Sequence, residues 1–413
     1  MIYRIFYSSM CGNGETSMEL SQKLEQLIEK SVEKKEIAGA NILVIQDGKE
    51  KAFAAGGHAD IKAGRKYERD TIVRLYSMSK PVTSAAAMLL MERGLLDPGA
   101  FVEEFLPGFH NAIVAEGGKL APAEKPVRIC DLLNMTSGLM YGGDITSVCS
   151  METEKLFDRI KEHLYLEDAL TTQEIANRLG LIPLQFQPGE SFQYGTSADV
   201  LGAVIEVISG KSFGEFLKEE FFEPLGMKDT AFYVPQEKQN RLAKVYQRTE
   251  DGLKLYTEDH LGIMNAMKQE PAFESGGAGL VSTLDDYAKF ASMLMQDGSY
   301  QGKQILKTQT VRYMTNGSLM PWQQEVLDQC WEGIRGYTYA NLLRIQKDPG
   351  KSPLFTSIGE YGWDGWLGAY FCNSPKDGLT MLLTMQLKDA GTTSLTRRLK
   401  NVIWSELCGG RQK

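Results

Sequence analysis

Two residues that could do chemistry together stand three positions apart, Ser77 and Lys80 in the run Ser-Met-Ser-Lys. Residues three apart on a helix share one face, so this spacing places a hydroxyl nucleophile beside an amine. A lysine that is buried loses part of its charge and can then take the proton of a serine hydroxyl. The pattern therefore predicts the nucleophile and the base of an acyl-enzyme reaction.

The segments around Ser77 set this pattern apart from chance. Residues 71–76 predict a short strand, and residues 82–93 predict an apolar helix ended by Gly94. Ser77 is then expected at a helix start, where the positive end of the helix favours an oxyanion. A second Ser-x-x-Lys, at 31–34, lies in a lysine-rich segment typical of a solvated helix, and we interpret it as structural.

The composition of the chain limits the classes of molecule that it is expected to bind. The net charge of −8 and the absence of a basic run argue against nucleic acid and anionic membranes as partners. The six cysteines form no Cys-x-x-Cys pair and the four histidines no His-Glu-x-x-His motif, so we expect neither a metal nor a cofactor. Residues 1–16 lack the apolar core of a signal peptide, which predicts a cytoplasmic protein. The oligomeric state stays open.

Hydrophobic periodicity predicts helices near both ends of the chain and two hairpins of apolar strands. The first hairpin turns at Asp47-Gly48, and Thr171 with Glu174 forms a capping box. The predicted helices are 17–35, 171–180, 201–208, 213–222, 282–295 and 394–407, and the predicted hairpin strands are 40–46 with 51–55 and 367–372 with 379–386.

The simplest assembly is an α/β domain combined with an all-α one. Residues 17–95 and 272–413 are expected to form an antiparallel sheet flanked by the terminal helices, and residues 96–271 a mostly helical inserted domain. The nucleophile then lies at the seam between them, where clefts for small molecules concentrate.

Two further segments offer groups that would complete such a site. Tyr194 follows a Pro-Gly turn and precedes a helix, so its phenol could reach into the cleft. Near the C-terminus, the glycines around Trp363 and Trp366 allow close backbone approach, and an N–H of Trp366 could face a substrate carbonyl. Taken alone, each segment favours ordinary aromatic packing over a role in catalysis.

Together these motifs resemble the serine β-lactamase-like family, in the branch that holds class C β-lactamases, family VIII carboxylesterases, D-aminopeptidases and acyltransferases. The signature of that family is Ser-x-x-Lys, then Tyr-x-Asn, then a strand with Lys-Thr-Gly. The resemblance extends over residues 37–386 and includes the stretches 131–139, 222–227 and 276–283. It implies the β-lactamase/transpeptidase-like fold.

The resemblance also implies a role for each matching residue. Ser77 would attack an acyl carbonyl, with Lys80 and Tyr194 sharing the proton transfers. The amides of Ser77 and Trp366 would hold the oxyanion. Water or another acceptor would then release the acyl group from Ser77.

The chain departs from the family pattern at two places. Thr196 stands where Tyr-x-Asn has asparagine, and Trp363-Asp364-Gly365 stands where Lys-Thr-Gly is expected. The lysine that would pair with a β-lactam or peptide carboxylate is absent, and Asp364 would repel that anion.

We therefore interpret Thr196, Trp363, Asp364 and Gly365 as substrate-binding residues of a carboxylesterase acting on small neutral esters. Two alternatives remain. The first is a β-lactamase or a D-amino-acid peptidase with penicillin-binding activity. For an enzyme of any of these kinds, the expected partner is a small-molecule ester, amide or β-lactam substrate. The second is a ligand-binding protein without catalytic activity.

Overall fold

The computed structural model describes residues 19–143 and 146–408, so the predicted lack of a signal at 1–16 lies outside the described residues. The helices are α1 Leu20–Glu33, α2 Lys80–Glu92, α3 Ile129–Leu133, α4 Val148–His163, α5 Thr172–Gly180, α6 Ser197–Ser209, α7 Phe213–Leu217, α8 Glu223–Leu225, α9 Leu284–Met295, α10 Thr308–Met314, α11 Pro321–Cys330 and α12 Ser394–Cys408. The strands are β1 Gly39–Gln46, β2 Lys49–Asp60, β3 Arg65–Lys66, β4 Val73–Arg74, β5 Ile113–Glu116, β6 Lys119–Pro122, β7 Val245–Thr249, β8 Gly252–Tyr256, β9 Val281–Ser282, β10 Ser299–Tyr300, β11 Lys303–Gln304, β12 Tyr337–Ala340, β13 Leu343–Gln346, β14 Tyr361–Asp364, β15 Tyr370–Ser374 and β16 Leu379–Met385.

The central element is an eight-stranded antiparallel sheet built from both ends of the chain. Its order is β12-β13-β14-β15-β16-β1-β2-β3, and β1 pairs with β16 so that Ala40 lies opposite Met385. This confirms the predicted large antiparallel sheet. The segment 96–271 contributes no strand to it among the described residues, but the division into two domains stays a prediction.

Side chains of the central strands alternate between two cores, because successive residues of a strand point to opposite faces. Ile42 and Leu383 pack with residues of α1 and α12 on one face. Leu43 and Leu382 face the larger core on the other side, which contains α2, α6 and α9. The terminal helices therefore cover one face, and the helices nearest the nucleophile cover the other.

The predicted hairpins form, with different bounds. Asp47 and Gly48 make the two-residue turn of the first hairpin, and both have positive φ, 52° and 72°. In the second hairpin the first strand starts only at Tyr370, because the amide of Gly368 donates to the carbonyl of Gly365 at 2.8 Å and closes a tight turn. The expected strand over 71–76 is only β4, since the chain turns at Tyr76.

The predicted helices also form, with shifts at their ends. The capping box of Thr171 and Glu174 opens α5 as expected. The helix predicted over 213–222 is α7 followed by a π-helical turn, Lys218–Phe222. None of the described helices combines the length and the apolar character needed to cross a membrane.

A buried ion pair joins α12 to the sheet. Nζ of Lys400 lies 2.5 Å from Oε1 of Glu360, and both side chains are 0% exposed. Tyr337 also contacts both groups, with its hydroxyl 2.9 Å from the same carboxylate oxygen. Burial alone would lower the pKa of Lys400, but Glu360 and the neighbouring phenols raise it well above its ordinary value.

Glu360→Gln is expected to destabilise the fold by ~3 kcal/mol or more, because the charge of Lys400 is left buried without its partner. The measurement is the free energy of unfolding in urea. Glu332→Gln is the control, since the exposed pair of Glu332 with Arg335 is expected to contribute less than about 1 kcal/mol. Equal unfolding free energies for the two variants would contradict a structural role for the buried pair.

Candidate active site

The nucleophile Ser77 lies on a sharp turn between β4 and α2. Tyr76 has a φ of +47°, a left-handed conformation that is strained for a bulky residue, and a short 3-10 turn, Tyr76–Ser79, then leads into α2. Two backbone hydrogen bonds of Leu280 hold this turn in place. The carbonyl of Leu280 accepts from the amide of Leu75 at 2.9 Å, and the amide of Leu280 donates to Oγ of Ser79 at 3.1 Å.

Lys80 is the first residue of α2, and its side chain is completely buried. Nζ lies 3.2 Å from Oγ of Ser77, as the spacing predicts. It also lies 3.1 Å from the hydroxyl of Tyr141 and 2.9 Å from the carbonyl oxygen of Gly277. These contacts aim the amine at the nucleophile.

Burial lowers the pKa of Lys80 to about 7, and the carboxylates of Asp199 and Asp364 oppose this shift. Near neutral pH a large fraction of the lysine is therefore an uncharged amine. Such an amine can accept the proton of the serine hydroxyl.

Asp199, in the first turn of α6, supports Lys80 through one intermediate group. Its Oδ1 accepts hydrogen bonds from Oγ of Ser275 at 2.5 Å and from the amide of Gly277 at 3.0 Å. The carbonyl of the same Gly277 accepts from Lys80. Asp199 is 3% exposed, so its charge acts on the lysine with little screening by solvent.

Tyr194 lies beside both reacting groups. Its ring centroid is 4.6 Å from Nζ of Lys80, and its hydroxyl accepts a hydrogen bond from Nε1 of Trp363 at 3.0 Å. Burial raises the pKa of Tyr194, and hydrogen bonds with the side chains of Ser77 and Trp363 oppose the rise. The phenol is therefore protonated near neutral pH, which suits a proton donor.

An aromatic wall encloses this side of the cleft. Tyr194 is its central ring, and the indole of Trp331, after α11, lies 5.0 Å from it. The rings of Tyr339 and Trp363 are 4.9 Å apart in an edge-on arrangement. The members of the aromatic wall are Phe192, Tyr194, Trp331, Tyr339 and Trp363.

The backbone at Trp366 follows β14 and lies against the nucleophile turn. A Cβ on Gly365 would stand 2.2 Å from the carbonyl oxygen of Leu75, so only glycine permits this approach. The ring of Trp366 lies 4.8 Å from that of Tyr76, and its indole N–H donates to Asp389 at 2.7 Å. The backbone amide, rather than the indole, is thus the group of Trp366 left for an oxyanion.

The amide of Ser77 is the other predicted oxyanion donor. It lies in the first turn of a helical segment, where N–H groups have no intrahelical acceptor. In the described part of the chain, neither this amide nor that of Trp366 donates to a backbone carbonyl. The oxyanion role of both stays a prediction.

The other predicted site residues, Trp363, Asp364 and Thr196, differ in how far their side chains are exposed to solvent. Trp363 is buried in the aromatic wall, while Asp364 is half-buried and accepts from Oγ1 of Thr392 at 2.5 Å. Thr196 precedes α6, is completely buried, and has no hydrogen-bond partner for its hydroxyl among the described residues. Its role in binding substrate stays a prediction.

Sequence reasoning missed Tyr141, Asp199, Gly277 and three members of the aromatic wall, Phe192, Trp331 and Tyr339. Tyr141 comes two residues after the family-like stretch 131–139, and Asp199 is one of two acids in a mostly apolar helix, so weak signals existed. The sequence of residues 142–170 is compatible with a rim of the cleft that selects substrate or with a solvated surface helix. This segment contains α4, whose Ser150 donates to the carbonyl of Tyr141 at 3.1 Å. Residues 144 and 145 lie outside the described part.

Among residues 19–143 and 146–408, no three His, Cys, Asp or Glu side chains come together in an arrangement that could hold a metal ion. Within these ranges, Cys130, Cys149, Cys330 and Cys372 are free thiols.

Comparison with known proteins decides the family. The model of the beta-lactamase family matches residues 24–401. The chain belongs to the beta-lactamase family. It is 33% identical over 362 residues to Protein Rv1367c of Mycobacterium tuberculosis, covering 85% of this chain and 86% of the relative.

Two further similarities concern an esterase and a hydrolase. Esterase EstB of Burkholderia gladioli is 26% identical over 406 residues, covering 94% of this chain and 95% of the relative. The structure of EstCE1, titled a hydrolase with promiscuous acyltransferase activity, superposes with a TM-score of 0.78 at 23% identity over 93% of this chain and 98% of that one. This beta-lactamase family member is thus an enzyme of the serine hydrolase type with the predicted fold.

The activity of this beta-lactamase family member is expected to rise with pH through a midpoint near 7. The neutral amine of Lys80 is the predicted base, so activity is expected to fall as the lysine is protonated below its lowered pKa. The measurement is kcat/KM for p-nitrophenyl butyrate between about pH 5 and 9. A rate independent of pH over this range would contradict Lys80 as the base.

Asp199→Asn is expected to move that midpoint to lower pH by on the order of one unit, because a carboxylate that favours the protonated lysine is removed. The asparagine oxygen can still accept the hydrogen bonds of Ser275 and Gly277, so the geometry is retained. The exposed Asp168→Asn is the control. An unchanged midpoint in the Asp199 variant would show that its charge does not act on Lys80.

Proposed function

We propose that this protein is a carboxylesterase that cleaves or transfers acyl groups of small esters through a covalent acyl-Ser77 intermediate. The observation that carries the proposal is the buried amine of Lys80, 3.2 Å from Oγ of Ser77, with a pKa lowered to about 7. A site that only bound a ligand would gain nothing from an activated serine.

In the first half of the reaction, the amine of Lys80 takes the hydroxyl proton as Oγ of Ser77 bonds to the ester carbonyl carbon. The carbonyl electrons move to its oxygen, which the amides of Ser77 and Trp366 stabilise. When the tetrahedral intermediate collapses, the C–O bond to the alcohol breaks, and the departing oxygen takes the proton of the Tyr194 hydroxyl. Lys80 returns a proton to that tyrosine.

In the second half, water attacks the acyl-Ser77 carbonyl and gives its proton to the same lysine–tyrosine pair. Breaking the bond to Oγ then returns the proton to the serine and releases the acid. An alcohol in place of water would take the acyl group instead, so hydrolysis and acyl transfer need the same residues.

The residues of the cleft favour an ester over a β-lactam or a peptide carboxylate. Trp363 replaces the lysine that such an anion would need, and its indole is engaged with Tyr194. Asp364 adds a negative charge close by. We therefore expect β-lactams to react slowly at most, and small uncharged esters to be turned over.

A fluorophosphonate probe is expected to add to the wild type once and to Ser77→Ala not at all, because only an activated serine reacts. The measurement is intact-protein mass, with p-nitrophenyl butyrate turnover beside it. Ser31→Ala, in the second Ser-x-x-Lys, is the matched control. Its hydroxyl is buried and accepts from Arg398, so labelling is expected to persist. Labelling or turnover that survives in Ser77→Ala would overturn the proposal.

A further inference from the structure

Asp364 lies between two residues that contact the site: the indole of Trp363 donates to Tyr194, and Gly365 packs against the carbonyl of Leu75 in the turn that carries Ser77. Asp364 is the last residue of β14, two positions before the amide of Trp366. Its Oδ2 accepts a hydrogen bond from Oγ1 of Thr392 at 2.5 Å, which orients the group, and the side chain is half-buried. A charged group in this position is fixed but still reachable by a ligand.

The charge of Asp364 acts on the reacting residues. Burial lowers the pKa of Lys80, and Asp364 is one of two carboxylates that oppose the fall. Burial raises the pKa of Tyr194, and the same carboxylate contributes to the rise. Asp364 therefore lies within electrostatic reach of a substrate bound at Ser77.

No described lysine or arginine forms an ion pair with Asp364. Besides Lys80, the guanidinium of Arg344 on β13 interacts electrostatically with Asp364, and Arg344 is 2% exposed. Its guanidinium donates to the carbonyl of Phe371 at 3.1 Å and lies 4.4 Å from the ring centroid of Tyr370. Because the guanidinium of Arg344 is buried and already has these partners, it is not available to contact a substrate.

The other groups near the reacting residues include a second carboxylate and two aromatic rings. Asp199 is a second carboxylate near the reacting groups, and the buried Lys80 is partly uncharged near neutral pH. The half-buried rings of Trp331 and Tyr194 in the aromatic wall add π faces, which attract cations. A half-buried carboxylate near aromatic faces is a suitable environment for an ammonium group.

We propose that the site prefers ester substrates that carry an ammonium group, and that Asp364 is the residue that determines this specificity. The inference rests on the proposed acyl-Ser77 function and adds a substrate class to it. Uncharged esters remain substrates, but a cationic ester of the same shape is used better, and a carboxylate in its place is rejected.

The test compares esters that differ only in charge. Acetylcholine is paired with 3,3-dimethylbutyl acetate, in which a tert-butyl group replaces trimethylammonium on the alcohol. On the acyl side, p-nitrophenyl 4-(trimethylammonio)butanoate is paired with p-nitrophenyl 5,5-dimethylhexanoate. Because each ratio of kcat/KM is taken within one variant, effects of a mutation on the chemical step cancel.

In the wild type the cationic ester of at least one pair is expected to be preferred about tenfold, and the preference should shrink as ionic strength rises. Asp364→Asn is expected to reduce the ratio to near one, and Asp364→Glu to restore part of it. Asp251→Asn, in the exposed turn between β7 and β8, makes the same change in net charge and should leave the ratio unchanged. Ratios near one in the wild type, or a ratio unaffected by Asp364→Asn, would overturn the inference.

A binding measurement separates this inference from the proposed function. Calorimetry on Ser77→Ala with acetylcholine and 3,3-dimethylbutyl acetate reports the preference without turnover, and the double variant with Asp364→Asn should lose it. A cationic preference in binding, without any labelling of Ser77 in the wild type, would support the role of Asp364 and overturn the esterase. Labelling of Ser77 without a cationic preference in binding would support the esterase and overturn the role of Asp364.

Discussion

A lysine amine held out of water beside a serine hydroxyl is the constraint on which the rest of the site depends. Removing a charge from water is costly, so Lys80 can remain buried only because it is partly neutral and its nitrogen has polar partners. The carbonyl of Gly277 and the hydroxyl of Tyr141 provide them, and Asp199 holds the loop that carries Gly277. Three distant parts of the chain thus converge on one nitrogen.

One strand, β14, contributes two neighbouring residues with different partners to the site. Trp363 faces the large core and donates to Tyr194, while Asp364 turns toward Thr392 ahead of α12. A strand carrying a lysine at the first of these positions would favour anions. This strand instead combines an apolar indole with a carboxylate, and the charge preference of the cleft changes without any change of fold.

The sequence predicted those features of the structure that depend on residues close together along the chain. Ser77 and Lys80 lie three residues apart, and the turn at Asp47 and Gly48 depends on local backbone preference, so both could be read directly. The support of Lys80 by Tyr141 and Asp199 could not, because it depends on how separate segments pack. Helix and strand ends shifted for the same reason, since contacts with Leu280 and the turn at Gly365 decide where the regular elements stop.

The pairing of β1 with β16 has a consequence for how the protein acquires its structure. The first strand of the sheet finds a central neighbour only near the end of the chain, so the contact order is high, and the loop closed by this contact is long. During synthesis β1 and β2 are made long before β16, and the edge of their hairpin stays uncovered until the last strand emerges. The step that completes the sheet therefore comes only after Met385 has been translated, and folding of this protein is expected to be slow and exposed to aggregation.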